Sequence, residues 1–203
     1  MDIKFSGFIA TSLDGFIARI DGRIDWLTQK QSPKNKRQSD QNTRTNMQSS
    51  ENTNSEDLTE DYGYRSFYDS TSCLVMGRNT FEKVVSFPEW PYANKRLIVL
   101  SKRLKEIPEE YQERAELYSG SPQMLSVDLQ SQNVRHVYID GGLTLQSFIN
   151  AKILNQITIT QVPILLGNGI PLFSSTKQDF HLELLSNNSF ESGFVQSKYQ
   201  FCY

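Results

Sequence analysis

Hydrophobic and polar positions along the chain change rhythm often enough to mark out its elements. From Ile3 to Ala10, the residues Ile3, Phe5 and Ile9 alternate with small or polar ones, the period of a strand, and only Phe8 falls out of step. Asp14-Gly15 and Asp21-Gly22 then bracket the short apolar piece Phe16-Ile17-Ala18. Leu58 to Asp69 places Leu58, Tyr62, Arg65 and Phe67 or Tyr68 at near-helical spacing, with Gly63 as its weak point. Three strand-to-helix units follow: Leu74-Val75-Met76 into Arg78 to Val85, Arg96 to Leu100 into Ser101-Lys102-Arg103, and His136 to Asp140 through Gly141-Gly142 into Leu143 to Ala151. Between the last two, Ser121-Pro122 reads as the N-cap and first residue of a helix carrying Met124, Leu125 and Leu129. Gln156 to Val162 alternates as a strand, and Phe180 to Ser186 with Phe194 to Tyr203 reads as a closing antiparallel pair. Strands alternating with helices, closed by strand-rich sequence, predict an α/β fold with a mostly parallel sheet and an antiparallel edge.

One segment stands outside this rhythm. Gln31 to Asp57 is almost wholly polar, with Met47 its main apolar residue. Such a stretch buries too little surface to offset its ordering entropy, so residues 31–57 are expected to form a mobile insertion or long surface loop within a single domain spanning 1–203. It also explains a hydrophobic share of only 37%. With 21 basic and 23 acidic side chains and a formal net charge of −2, nothing points to nucleic acid or a membrane as partner. No stretch approaches membrane-spanning length, and a cytoplasmic location is the simplest expectation. Cys73 and Cys202 form no Cys-x-x-Cys pair, and neither histidine has partners at ligand spacing, so no metal site is expected.

The chemistry gathers where strands give way to helices, the end of an α/β sheet at which ligands bind. Gly77 lets backbone approach a ligand, the residues after it offer helix N-terminal amides, Arg78 adds a permanent charge and Thr80 a hydroxyl. Ser101 and Lys102, followed by Arg103, supply a hydroxyl and two cations at the second strand end. Gly141-Gly142 opens the third, with Leu143 and Thr144 beyond. Excess positive charge on two of three turns suits a ligand with several phosphates, and a 2′-phosphate accounts for the Arg78 guanidinium and the Lys102-Arg103 pair better than plain NAD does. Neither G-x-G-x-x-G after the first strand nor G-x-x-x-x-G-K-[ST] occurs, which argues against a Rossmann dehydrogenase and a P-loop enzyme.

Together the segments Ser12 to Ala18, Ile24 to Leu27, Asp61 to Tyr64, Val75 to Glu82, Ile139 to Gly142 and Pro163 to Phe173 resemble the dihydrofolate reductase-like superfamily. The nearest branch is the reductase domain of bacterial riboflavin biosynthesis and its stand-alone relatives. The resemblance covers nearly the whole chain apart from the polar insertion. It implies a dihydrofolate reductase-like fold that binds NADPH. Ala10 and Ile17 would line the nicotinamide; Gly77, Arg78, Asn79 and Thr80 would hold phosphates. Ser101 and Lys102 would sit near the adenosine ribose phosphate, and Gly141, Gly142, Leu143 and Thr144 would cradle the pyrophosphate. It further implies that the Gly141–Gly142 peptide is often cis. The helix carboxylate that dihydrofolate reductases aim at the pterin has no counterpart after Trp26, where Asp61 is the best substitute. The zinc motif of cytidine-type deaminases is absent as well.

These observations predict an NADPH-dependent reductase, similar to 5-amino-6-(5-phosphoribosylamino)uracil reductases. It passes a hydride to a small pyrimidine- or pterin-like substrate and is expected to work as a homodimer. Asp14 and Asp61 are the candidate catalytic acids, and Trp26 and Tyr64 the candidate substrate contacts. Asp14-Gly15 has a plainer reading as a hairpin turn, and Pro163 to Phe173 reads as architectural. The alternative from another class is a nucleotide-binding module without turnover, using residues 31–57 to engage a partner.

Overall fold

A computed structural model describes residues 2–28, 60–92, 95–174, 176 and 178–203. The expected 31–57 insertion and the Leu58 end of the expected helix lie outside the described residues. Ten strands and five helices are assigned among them: β1 (Lys4–Ser12), β2 (Phe16–Ala18), α1 (Asp25–Thr28), α2 (Tyr64–Ser70), β3 (Cys73–Gly77), α3 (Arg78–Val85), β4 (Arg96–Leu100), β5 (Glu116–Tyr118), α4 (Pro122–Ser131), β6 (His136–Asp140), α5 (Gly142–Asn150), β7 (Gln156–Val162), β8 (Ile170–Pro171), β9 (His181–Ser189) and β10 (Val195–Cys202).

Eight of the strands form one sheet in the order β5-β4-β3-β6-β1-β7-β10-β9. The run from β5 to β7 is parallel, and β10 and β9 close it antiparallel, so the mixed, mostly parallel α/β sheet expected from the alternating pattern is present. β2 and β8 make a separate antiparallel ribbon.

The central strands are apolar on both faces because helices cover both. On one face α4 and α5 bring Leu125, Leu129, Leu145 and Phe148 against Phe5, Val75, Val137 and Ile139. On the other, Phe81 and Val84 of α3 meet Leu74, Met76, Leu97 and Val99. Alternate residues of one strand therefore feed different cores, and Leu74-Val75-Met76 reads as an unbroken apolar run. The same reason accounts for Phe8, which broke the β1 alternation. It leaves the Phe5 face and packs on α2, its ring centroid 5.1 Å from Phe67 and 5.6 Å from Tyr64.

Two local expectations are corrected. Ser101-Lys102-Arg103 opens no helix: the Ser101 hydroxyl accepts the amides of Arg103 and Leu104 at 3.1 and 3.0 Å, a turn that competes with helical bonding. The three-residue strand β5 follows, which no periodicity announced. The Gly141–Gly142 peptide is trans. By contrast, Ser121 does cap α4, its hydroxyl accepting from the Met124 amide at 3.2 Å with Pro122 in the first turn.

Asp14 and Asp61, the two candidate acids, hold turns together. Asp14 accepts from the Ser12 hydroxyl at 2.6 Å and from the amides of Leu166 and Gly167 at 3.2 and 2.7 Å, which ties the loop before β8 to the β1–β2 turn. Asp61 accepts the amides of Gly63 and Arg65, both at 2.9 Å, and so secures the start of α2. Both carboxyls titrate below their ordinary range, Asp14 first through Ser12 and Asp61 first through the Arg65 amide. A depressed folded-state pKa contributes stability that is complete above the unfolded value of about 3.9 and is lost as pH falls towards the folded one. Thermal melts of Asp14→Asn are therefore expected to show a lower Tm than the native chain at neutral pH and a smaller further drop below about pH 4. Parallel curves at all pH values would show that Asp14 does not hold the loop through its charge.

Candidate active site

The sheet order creates a crevice. β3 and β6 are neighbours, yet α3 leaves β3 on one face and α5 leaves β6 on the other. At such a switch point the connections diverge and the carboxyl ends of the strands are left uncovered. A cavity of about 1010 Å³ opens there, of a size to hold a dinucleotide.

Both helices begin at its wall without a side-chain cap. Gly77 precedes α3 and Gly141 precedes α5, and neither helix start has its amides occupied by a capping side chain. Two sets of first-turn N–H groups, with the positive ends of two helix dipoles, are thus available to an anion in one space. The turns interlock. A Cβ on Gly77 would come within 2.8 Å of the Thr144 hydroxyl, and one on Gly141 within 2.2 Å of the Thr80 hydroxyl. Gly141 also has φ 87°, which side chains rarely adopt.

Arg78, Asn79, Thr80, Ser101, Lys102, Gly142, Leu143 and Thr144 all line this cavity, as do Ala10 and Ile17. The twelve residues singled out for the cofactor, from four separate stretches of chain, are therefore brought together. Some differ in detail from expectation. Arg78 is not a free cation, because its guanidinium donates to Glu82 one turn on at 2.8 Å. Ser101 serves the loop that carries Lys102 and Arg103 into the lining. Leu143, 69% exposed, gives an apolar surface beside the polar turn.

The candidate substrate residues are placed elsewhere. Trp26 is buried, 2% exposed, and its neighbours Ile24 and Leu27 reach the cavity instead. Tyr64, the first residue of α2, lies against Phe8 and Tyr138 and is not part of the lining. Nor are Asp14 and Asp61, whose oxygens are taken up by the turns described above.

Among the described residues three acids line the cavity; Asp21 and Glu82 are ion-paired with Arg23 and Arg78, which leaves Asp140, the last residue of β6. Its carboxyl is buried at the cavity wall, accepting the Tyr92 hydroxyl at 2.9 Å and the Gly141 amide at 2.8 Å. Burial raises its pKa, and the bonds from Tyr92 and Gly141 only partly offset this. Tyr92, itself in the lining, is pushed up by burial and by the Asp140 charge, so it stays a hydroxyl. Tyr138 supports the group from below, donating to the Phe8 carbonyl at 3.0 Å. Sequence reasoning passed over Asp140 as a flanking residue. Its signal was a lone acid ending an apolar strand just before Gly-Gly. Tyr92 carried no signal, since it comes from a loop 48 positions away.

The profile of the RibD C-terminal domain family matches residues 7–196. The chain belongs to that family. The uncharacterized protein YwjB of Bacillus subtilis (strain 168) is 28% identical over 193 residues, 94% of each chain. A crystal structure of a Shewanella sp. PV-4 protein named for riboflavin biosynthesis superimposes with a TM-score of 0.82 at 31% identity, covering 99% of this chain and all of that one. The Thermotoga maritima diaminohydroxyphosphoribosylaminopyrimidine deaminase/5-amino-6-(5-phosphoribosylamino)uracil reductase shares the fold, with a TM-score of 0.66 at 12% identity. This RibD C-terminal domain spans 57% of that chain.

Proposed function

We propose that this protein is an NADPH-dependent reductase of the riboflavin-pathway type, acting on a small heterocyclic substrate such as a ribosylaminopyrimidine or a pterin. The observation that carries the reading is the meeting, in one cavity, of two uncapped helix starts, the Lys102-Arg103 loop and a buried protonatable acid. Family membership and the likeness to the Shewanella protein support it.

The donor set fits a dinucleotide phosphate. Amides at the starts of α3 and α5 suit the phosphates, Lys102 and Arg103 suit the 2′-phosphate, and Ala10 and Ile17 offer an apolar wall to a nicotinamide. Bound NADPH supplies a hydride, two electrons and a proton, to an electron-poor carbon such as that of a C=N group. Asp140 then has the complementary task. When protonated, the Asp140 carboxyl at the cavity wall can give its proton to the nitrogen that gains electron density, leaving a carboxylate to be reprotonated from solvent. Tyr92 holds the carboxyl in place and is a hydrogen-bond donor to the carboxylate so formed.

Titration of NADPH against the fluorescence of Trp26 and Trp90 is expected to saturate, and no saturable change would overturn the reading. Loss of nicotinamide absorbance that depends on an added pterin, ribosylaminopyrimidine or quinone distinguishes turnover from binding alone. Removing both cations, Lys102→Ala with Arg103→Ala, is expected to weaken NADPH by roughly tenfold or more while changing NADH little. Arg78→Ala should weaken NADPH less than that pair does, because Glu82 already engages its guanidinium. Equal losses for both cofactors in the double variant would mean that these cations do not read the 2′-phosphate.

A further inference from the structure

A second cavity, of about 300 Å³, lies under α2 at the amino-terminal ends of β1, β6 and β7, with Phe8 as the one residue it shares with the first. It exists because the sheet changes character there. β1, β7 and β10 present Phe5, Ile157 and Phe201 to the α5 core, but Ser6, Thr158 and Lys198 to the opposite face. α2, with seven residues, covers only part of that polar face.

Lys4 and Lys198 line this cavity, both half-buried, and neither ammonium has an ion-pair or hydrogen-bond partner among the described residues. Among the described residues no Asp or Glu is in the lining. His136, opposite Lys4 on β6, faces the same cavity as a neutral base. Its Nδ1 lies 3.2 Å from the Ser70 carbonyl, which can only accept, so Nδ1 carries the hydrogen. Nε2 is left to accept from the Ser6 hydroxyl at 3.0 Å. Burial, then the Lys4 charge, lowers the His136 pKa, and burial, then Lys198, lowers that of Lys4. Two half-buried like charges with no counter-ion among the described residues are a cost that an anion in the same space would remove.

We propose that this cavity binds a small phosphomonoester, its phosphate between Lys4 and Lys198. Two cations match a group that carries about −1.5 to −2 at neutral pH better than they match a single carboxylate. The space exceeds what inorganic phosphate needs, since it would hold roughly ten waters at about 30 Å³ each. Phe8, Phe67 and Tyr62 give it an aromatic side that phosphate alone leaves uncovered, while the hydroxyl of Ser66 and the amide of Gln156 offer contacts to a hydroxylated body.

Calorimetric titration of the full chain without cofactor, at low ionic strength, tests this with ribose 5-phosphate and with inorganic phosphate. Ribose 5-phosphate is expected to bind saturably, and inorganic phosphate about tenfold more weakly. Lys4→Gln and Lys198→Gln should each weaken the sugar phosphate by about tenfold or more, as should Ser66→Glu, which puts a carboxylate at the exposed mouth without touching the core. Lys105→Gln, outside both cavities, should bind as the native chain does, and NADPH affinity should be unchanged in Ser66→Glu. Absence of saturable binding, undiminished binding in the three cavity variants, or equal affinity for the two probes would overturn the proposal. So would light scattering in which Lys198→Gln dissociates a dimer, because the face would then be a subunit contact.

Discussion

Asp140→Asn is expected to lower turnover by about a hundredfold or more while leaving NADPH affinity nearly unchanged, the pattern of a lost proton donor. Asparagine preserves the shape: its carbonyl can accept the Gly141 amide and its NH₂ can meet the Tyr92 oxygen. The pH dependence supplies an independent sign. Because burial raises the folded-state pKa of Asp140, the proton is held above the ordinary carboxylate range, and turnover should fall as pH rises through that value. This inflection should be missing in Asp140→Asn. Stability should run the other way. A raised carboxyl pKa costs stability above the unfolded value and returns it as pH falls through the folded one, so the neutral variant should melt no lower than the native chain at neutral pH. A melt lowered together with NADPH affinity would instead make Asp140 a support of the Gly141 turn. Tyr92→Phe, which removes only the hydroxyl, should reduce turnover less than Asp140→Asn does.

Gly141→Ala is expected to abolish measurable cofactor binding and to lower the melting temperature by several degrees. A left-handed backbone at a residue with a side chain costs on the order of 1–3 kcal/mol, and in a chain of this size each kcal/mol moves Tm by about 2–4 °C. The added methyl must also displace the Thr80 hydroxyl, 2.2 Å from where the Cβ would stand. That displacement disturbs the start of α3 from the start of α5, so both turns proposed to hold phosphate are affected at once. Gly15→Ala separates the two effects. Its φ of 83° imposes similar strain, but nothing lies within 4 Å of the new Cβ. It should lower Tm and leave NADPH affinity intact. Removing the Thr80 hydroxyl in Gly141→Ala/Thr80→Ala should recover part of the lost stability, a coupling expected only of residues in contact. Equal behaviour of Gly141→Ala and Gly15→Ala in NADPH titrations would remove the Gly141 turn from the cofactor site.

The 31–57 stretch lies outside the described residues. No helix among those described is long and apolar enough to cross a membrane.

The turns that gather at the cavity, Gly77 to Thr80, Ser101-Lys102 and Gly141 to Thr144, were legible in the chain because their determinants are local. A glycine, a helix start and a cation within seven residues, as from Gly77 to Lys83, keep their meaning wherever the segment lies. The same holds for the strand periods, the Ser121-Pro122 helix start and the closing antiparallel pair, since backbone bonding and capping act over a few residues. Ser101 shows the limit of such reasoning, as a side chain that might cap a helix instead closed a turn. What only the tertiary structure decided was which of the described acids stands in the cavity wall without a cation paired to it. Asp14 and Asp61 are turn builders, with oxygens spent on backbone amides, while Asp140 is lifted in pKa by burial. Burial and a partner 48 residues away are properties of packing, and no local pattern encodes them. The pairing of Lys4 with Lys198 beneath α2 has the same origin: 194 positions separate them along the chain, and the sheet order, through β7, brings their charges to one cavity.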